Sequence, residues 1–164
     1  MSASRILVVD DEADIRGLLK EILAEEGYEV DVAADATQAR TSRATQVPDL
    51  VLGPGADGKV IQPEGIPASE LDTAQQAMLL DVVHEWVGIL NDEAAEAKMA
   101  EIKANLPKTY FAWSGATKNG GLAYYRIQGP TAIIEYAPQQ GDLDHIHTIY
   151  RDPTNDYGAK LVRP

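Results

Sequence analysis

The chain has 164 residues, enough for one domain or two small ones, and 45% of them are apolar, enough for a packed core. It carries 26 acidic and 14 basic side chains, and its net charge of −12 argues against a nucleic-acid backbone or an anionic membrane as the main partner. Cysteine is absent, which excludes disulfides, thiolate metal sites and cysteine nucleophiles. The apolar run near the start is too short for a signal peptide or a membrane span, so a soluble, cytoplasmic protein is expected.

The first part of the chain is predicted to alternate strands and helices. Residues 5–9 and 29–33 are short apolar runs rich in β-branched residues, typical of strands buried in a parallel sheet, and residues 49–52 predict a third strand. Apolar residues recur at helical spacing over residues 13–26, and a shorter, weaker helix is predicted over 36–43. The alternation predicts an α/β unit, a three-stranded parallel βαβαβ segment.

The second part is predicted to be α+β, with a helix pair packed on an antiparallel meander of about four strands. Asp72 with Gln75 three residues later forms a capping box at the start of one helix. Asn91 or Asp92 can cap a second helix, which Pro107 ends. Four runs separated by turn-forming residues predict the strands: 109–114, 122–128, 131–137 and 145–151.

Glycine and proline are dense between the two parts, as is typical of a loop or linker. The sequence therefore predicts three stretches. They are an α/β segment over residues 1–54, a linker over 55–68 and an α+β domain over 69–164.

An acidic pair, Asp10 and Asp11, directly follows the first predicted strand. The carboxyl end of a parallel strand faces the crevice in which α/β proteins bind ligands. Two adjacent carboxylates with an open water shell suit Mg²⁺, which prefers oxygen ligands. The alternative is a solvated acidic loop that caps the next helix.

Three stretches of the first part, RILVVDDEADIR, EEGYEV and PDLVL, resemble the receiver domain of bacterial response regulators over residues 5–52. The resemblance implies that Asp10 and Asp11 bind Mg²⁺ and that an aspartate after the third strand accepts a phosphoryl group. Gly53, followed by proline, stands where that aspartate belongs, and the nearest later acid, Asp57, lies in a glycine-rich loop. The fourth and fifth strands of the family have no counterpart. No phosphoacceptor is therefore expected in this half of a receiver.

A three-stranded parallel sheet with only two helices leaves apolar faces and an edge uncovered. About fifty residues are also near the lower limit for an independent core. Either the second part of the chain, a homodimer or another protein partner covers the receiver-like sheet, or the segment is loosely folded. We favour cover by the second part or by a homodimer.

His145 and His147 lie two residues apart on the last predicted strand, where their Cα atoms are about 6–7 Å apart on one face. Two such imidazoles can converge on one zinc, copper or iron ion together with a carboxylate. The candidate third ligands are Glu135, Asp144 and Asp156, with His84 as a further candidate. The alternative is that these histidines form hydrogen bonds within a polar sheet face.

Arg126 lies in the second predicted strand of the meander, and Glu135 lies in the next strand. The arginine is predicted to face the carboxylate across the hairpin, or to hold an anionic substrate through a bidentate contact. Arg151, which opens a loop rich in turn-forming residues, is a second candidate for an anion or substrate contact.

Four motifs of the second part, EGIPASEL, TYFAWSG, YYRIQGP and HIHTIYRDPTNDYG, occur in this order. Over roughly residues 57–162 they resemble an uncharacterised family, domain of unknown function 3500. Proteins of that family are longer, so the resemblance implies a carboxyl-terminal portion. It implies no reaction, but it groups the His-x-His strand with the other motifs as one unit.

Two functions follow as hypotheses. The first is a receiver-like signalling or interaction protein that lacks the phosphoacceptor aspartate. The second is a metal-binding protein, hydrolytic or oxidative, that uses the His-x-His strand. A third possibility is that no evolved activity survives in a chain joined from two incomplete pieces.

Overall fold

The computed structural model describes residues 5–45, 47–53, 55–56, 58–59, 61–158 and 160. The helices and strands follow one another in the order β1 (Arg5–Val9), α1 (Ala13–Glu25), β2 (Glu29–Ala33), α2 (Ala36–Thr45), β3 (Ile66–Pro67), α3 (Thr73–Val87), α4 (Asp92–Ala104), β4 (Tyr110–Gly115), β5 (Ala123–Gln128), β6 (Ile133–Pro138) and β7 (Ile146–Arg151). Among these residues, no helix combines the length and the apolar character needed to span a bilayer.

The first part forms a small parallel sheet of β1 and β2, paired from Arg5 opposite Glu29 to Val9 opposite Ala33. Helix α1 connects the two strands and ends before Gly27, whose φ of 88° suits a residue without a Cβ atom. The β-α-β-α order predicted from the sequence is confirmed up to this point.

The predicted third parallel strand does not form, and the sheet of β1 and β2 has two strands among the described residues. Residues 49–52 are irregular instead. The reason is a competing acceptor far along the chain: the Val51 and Leu52 N–H groups donate to the carboxylate of Glu135, at 2.6 and 2.9 Å. These donors are then lost to a parallel ladder, and the Leu52 side chain is buried at 1% exposure.

The second part forms an antiparallel sheet in the order β3-β4-β5-β6-β7, together with helices α3 and α4. It has one strand more than the predicted four because Ile66 and Pro67 pair with Phe111 and Tyr110. Both predicted helix starts are confirmed. Asp72 and Gln75 form the reciprocal capping box, and the Asn91 side chain accepts the Ala94 N–H at 3.0 Å.

The strand register gives the larger sheet two different faces. One face is apolar and packs on α3 and α4, with Ile127 and Ile134 against Val83, Val87 and Ile102. The opposite face carries Tyr124, Arg126, Gln128 and Glu135, all buried. The described residues between 47 and 64, which we call the covering segment, contact this polar face.

The apolar stripe of α1 is uncovered. None of the described residues of this helix is buried, and Ile15, Leu18, Leu19 and Ile22 are between 38% and 57% exposed. Helix α2 does lie beside β4. This exposure concerns the helix, whereas the expectation of a cover concerned the faces and edge of the receiver-like sheet, and that expectation stays a prediction.

Candidate functional site

The polar face of the larger sheet holds the covering segment through its main chain. Both oxygens of the Glu135 carboxylate accept main-chain N–H groups, those of Val51 and Leu52. Further along, the Gln128 Nε2 atom donates to the Ile61 carbonyl at 2.9 Å. Buried polar side chains need such partners because an unsatisfied polar group in the interior costs about 1–3 kcal/mol.

Arg126 and Glu135 lie directly opposite each other in the register, which confirms the predicted arrangement across the hairpin. They are linked through Tyr124, whose hydroxyl donates to Glu135 Oε1 at 2.9 Å and accepts from Arg126 Nη1 at 3.2 Å. Burial, followed by the charge of Glu135, raises the pKa of Tyr124 far above its usual value, so its hydroxyl stays protonated. Arg126 Nη2 also donates to Glu64 Oε2 at 3.0 Å.

The second candidate anion contact, Arg151, already has an internal partner. Its Nε and Nη2 atoms donate to the two carboxylate oxygens of Asp156, at 3.0 and 2.7 Å. The pair also holds the covering segment, since Arg151 Nη1 donates to the Ala56 carbonyl and Asp156 accepts the Gly58 N–H. Both side chains line an open cleft of about 650 Å³ between β7 and residues 50–53.

His145 and His147 are brought together. Their Nε2 atoms are 3.1 Å apart, their rings meet edge to face, and both residues are exposed. Within the part of the chain that is described, no third histidine, aspartate or glutamate joins them in a possible metal group.

The other candidate ligands of the metal site have different surroundings. Glu135 is bound to the covering segment, Asp156 is paired with Arg151, and His84 is exposed on α3. Asp144 is exposed, and its N–H donates to the side chain of Asp142.

The acidic pair lies at the end of β1, where the sequence predicts it. Asp10 Oδ1 accepts the Glu12 N–H at 2.8 Å, and Arg16 Nη1 donates to the Asp10 carbonyl. Asp11 is exposed. These contacts fit a loop that leads into α1, and Mg²⁺ binding by the pair stays a prediction. Asp57, the nearest acid after the expected phosphoacceptor position, lies outside the described residues.

Two residues of the site could not be predicted from the sequence pattern. One is Glu64, an isolated acid in an irregular segment. The other is Lys98 on α4, which binds Asp152 after β7 with 2.6 Å between Nζ and Oδ2. Burial opposes both charges, but the hydrogen bonds of the pair outweigh it, so the pKa of Lys98 is raised and that of Asp152 is lowered. The pair fixes α4 to one end of the cleft.

Two family descriptions match the chain. "Protein of unknown function (DUF3500)" matches residues 30–159, and "Response regulator receiver domain" matches residues 6–53. The DUF3500 match begins at residue 30, whereas the sequence motifs suggest that this resemblance starts at about residue 57. The two matches therefore overlap over residues 30–53.

Curated relatives match the receiver-like part. The alkaline phosphatase synthesis transcriptional regulatory protein SphR of Synechococcus elongatus is 46% identical over 59 residues, which cover 30% of this chain and 23% of that protein. Sporulation initiation phosphotransferase F of Bacillus subtilis is 44% identical over 62 residues, 35% of this chain and 50% of that protein. The DNA-binding response regulator MtrA of Mycobacterium leprae is 48% identical over 48 residues, 29% of this chain and 21% of that protein.

The chain spans only about a fifth to a half of the length of these relatives. No solved structure matches it. The larger family match takes in most of the chain and the whole of its antiparallel sheet. The chain therefore belongs to the DUF3500 family of proteins of unknown function, and its first part is similar to the first half of a response-regulator receiver domain.

Proposed function

We propose that the protein is a receiver-like interaction protein that binds a protein partner through α1 and does not transfer phosphoryl groups. The observation that carries this proposal is the uncovered apolar stripe on α1, where four large aliphatic side chains are exposed together. Contiguous exposed apolar surface of this kind marks protein interfaces. In this proposal, a second copy of the chain is the first candidate partner.

If the chain associates through α1, making the apolar stripe acidic should convert the dimer into a monomer and so halve the molar mass in solution. The double variant Leu18→Glu/Ile22→Glu places two carboxylates on the stripe, and desolvating them in an interface costs several kcal/mol. Light scattering after size exclusion, at tens of micromolar protein, is expected to give a dimer for the unmodified chain and a monomer for the variant.

The control is Lys20→Glu, a charge change at an exposed α1 position between the two sites. It should leave the dimer largely intact. A monomeric unmodified chain would exclude the second copy as partner, and an acidic variant that still dimerises would show that α1 is not the interface.

The absence of phosphoryl transfer is expected because Gly53 stands where the receiver family has its acceptor aspartate. Incubation with acetyl phosphate and Mg²⁺, followed by intact-mass measurement, should detect no phosphoryl adduct. A stoichiometric adduct that disappears in an Asp10→Asn/Asp11→Asn variant would contradict the proposal and would make the acidic pair a working Mg²⁺ site.

The proposal places the protein in the cytoplasm and excludes nucleic acid and membranes as main partners. One relative, MtrA, is named a DNA-binding response regulator, but this chain matches only 21% of the length of that protein. The net charge of −12 opposes binding to a phosphate backbone or an anionic lipid surface.

A second candidate function, metal binding, is supported by the spacing of His145 and His147. Transition metals bind histidine nitrogens at about 2.0–2.1 Å. Two nitrogens 3.1 Å apart therefore fit one ion with an angle of about 100° between them, which lies between square-planar and tetrahedral values. The ion would take the place of the contact between the two nitrogens, and water would fill its remaining positions.

The metal hypothesis predicts that protein purified without a histidine tag binds one equivalent of Cu²⁺, Ni²⁺ or Zn²⁺ in a calorimetric titration. The His145→Ala/His147→Ala variant is expected to lose this binding, because both histidine ligands of the ion are removed. His84→Ala, which removes the other histidine of the chain, is the matched control and should bind like the unmodified protein. Equal binding by all three proteins would refute the site.

A further inference from the structure

The guanidinium of Arg126 is buried, with 2% of the side chain exposed, but its hydrogen bonds are incomplete. Nη1 donates to Tyr124 and Nη2 donates to Glu64. Nε is buried and has no partner. A buried donor without an acceptor is costly, and a charged group more so than a neutral one.

The unpartnered atom lies on the same edge of the guanidinium as Nη2. Nε and Nη2 together form one of the two edges on which an arginine binds a carboxylate through two parallel hydrogen bonds. In this structure Nη2 donates to a single oxygen of Glu64, at 3.0 Å, and Nε makes no hydrogen bond. Arg151 shows the filled arrangement in the same protein, because Asp156 binds both its Nε and its Nη2.

Glu64 is held weakly enough to be displaced from Arg126. Its side chain is 71% exposed, and it lies in the covering segment, outside any helix or strand. Its carboxylate loses little on returning to water, so another anion that makes two bonds to Arg126 can compete with it.

We propose that Arg126 is a binding site for a small carboxylate, which displaces Glu64 and bonds to both Nε and Nη2. The local charge favours a monoanion. Glu135 lies directly opposite Arg126 and already offsets its charge, so the site offers little net attraction. A doubly charged phosphate loses more hydration energy than a carboxylate on leaving water, and this nearly neutral site does not compensate for that loss. This site goes beyond the α1 interface, and it gives the predicted anion contact of Arg126 a ligand class and an internal competitor.

The test is a calorimetric titration of Glu64→Ala with sodium acetate at constant ionic strength and neutral pH. Acetate is expected to bind the variant at least about tenfold more tightly than the unmodified chain, because a charge-assisted hydrogen bond is freed. The thermal midpoint of the variant should rise with acetate but not with phosphate or chloride. Glu70→Ala, which removes another exposed carboxylate six residues later in the chain, should bind acetate no better than the unmodified chain.

Two further variants keep the result decisive. Glu64→Gln removes the charge at nearly constant shape. If Glu64→Ala does not fold, Glu64→Gln takes its place in the titration. Glu64→Ala/Arg126→Lys keeps a positive charge but loses the two-pronged edge, and its acetate response should disappear. Equal acetate affinity with and without Glu64 would overturn the proposal. A phosphate or chloride effect as large as that of acetate would also overturn it.

Discussion

Replacing Glu135 with alanine is expected to destabilise the fold by about 3–5 kcal/mol, the cost of removing one partner from a buried charged network. Its carboxylate accepts the N–H groups of Val51 and Leu52 and the hydroxyl of Tyr124. The variant leaves the Leu52 N–H and the Tyr124 hydroxyl in the interior without an acceptor, and it also frees the N–H of Val51, which is 38% exposed. It also removes the negative charge opposite the buried Arg126.

Urea unfolding followed by tryptophan fluorescence measures this loss, because Trp86 packs against the core between α3 and the sheet. Glu135→Gln should cost less, about 1–3 kcal/mol, because the amide oxygen remains as an acceptor. The amide NH₂ group, however, then faces N–H or O–H donors and cannot accept from them. Glu96→Ala, which removes an exposed carboxylate on α4, should stay within about 0.5 kcal/mol of the unmodified protein. A loss below about 1 kcal/mol for Glu135→Ala would mean that the network contributes little to stability.

Replacing Gly65 with alanine is expected to cost about 2–4 kcal/mol. Gly65 joins the covering segment to β3, and its φ of 94° is a conformation that residues with a side chain rarely adopt. A Cβ atom at this position would also lie 2.1 Å from the carbonyl oxygen of Phe111. The backbone must therefore shift, and the short pairing between β3 and β4 should weaken with it.

Gly27→Ala is the matched control for this substitution. Gly27 has a similar φ of 88°, but a Cβ atom there meets nothing within 4 Å. Its cost should be the conformational part alone, about 1–2 kcal/mol. Urea unfolding of both variants separates the two contributions, and hydrogen exchange at Ile66 and Phe111 reports on the pairing. Equal costs at the two positions would show that the contact with Phe111 does not constrain the segment.

Local patterns predict the elements of this fold well. The capping residues Asp72 and Asn91 stand at the helix starts, as expected from side chains that satisfy free N–H groups. Alternation along the strands predicts that Arg126 faces Glu135, because hairpin neighbours share a face. It also brings His145 and His147 together, because residues two apart on an extended chain lie on the same side.

Contacts between distant parts of the chain are what the sequence does not reveal. Residues 49–52 have the composition of a buried strand, yet a carboxylate more than 80 residues later takes their N–H groups. Glu64 lies 62 residues before Arg126, in a stretch without periodicity, so no pattern predicts their ion pair. The uncovered stripe of α1 likewise depends on where the second part packs, which local pattern does not determine.

Glu135 holds the covering segment by contacts that depend little on the amino-acid sequence of that segment. Its two oxygens bind main-chain N–H groups, which every residue except proline provides, so this contact does not recognise the side chains at positions 51 and 52. Beyond those donors, the contact needs only an apolar side chain at the buried position of Leu52. Upstream stretches of different sequence can satisfy these demands. The sheet therefore tolerates variation in the stretch of residues 30–53, over which the two family matches overlap.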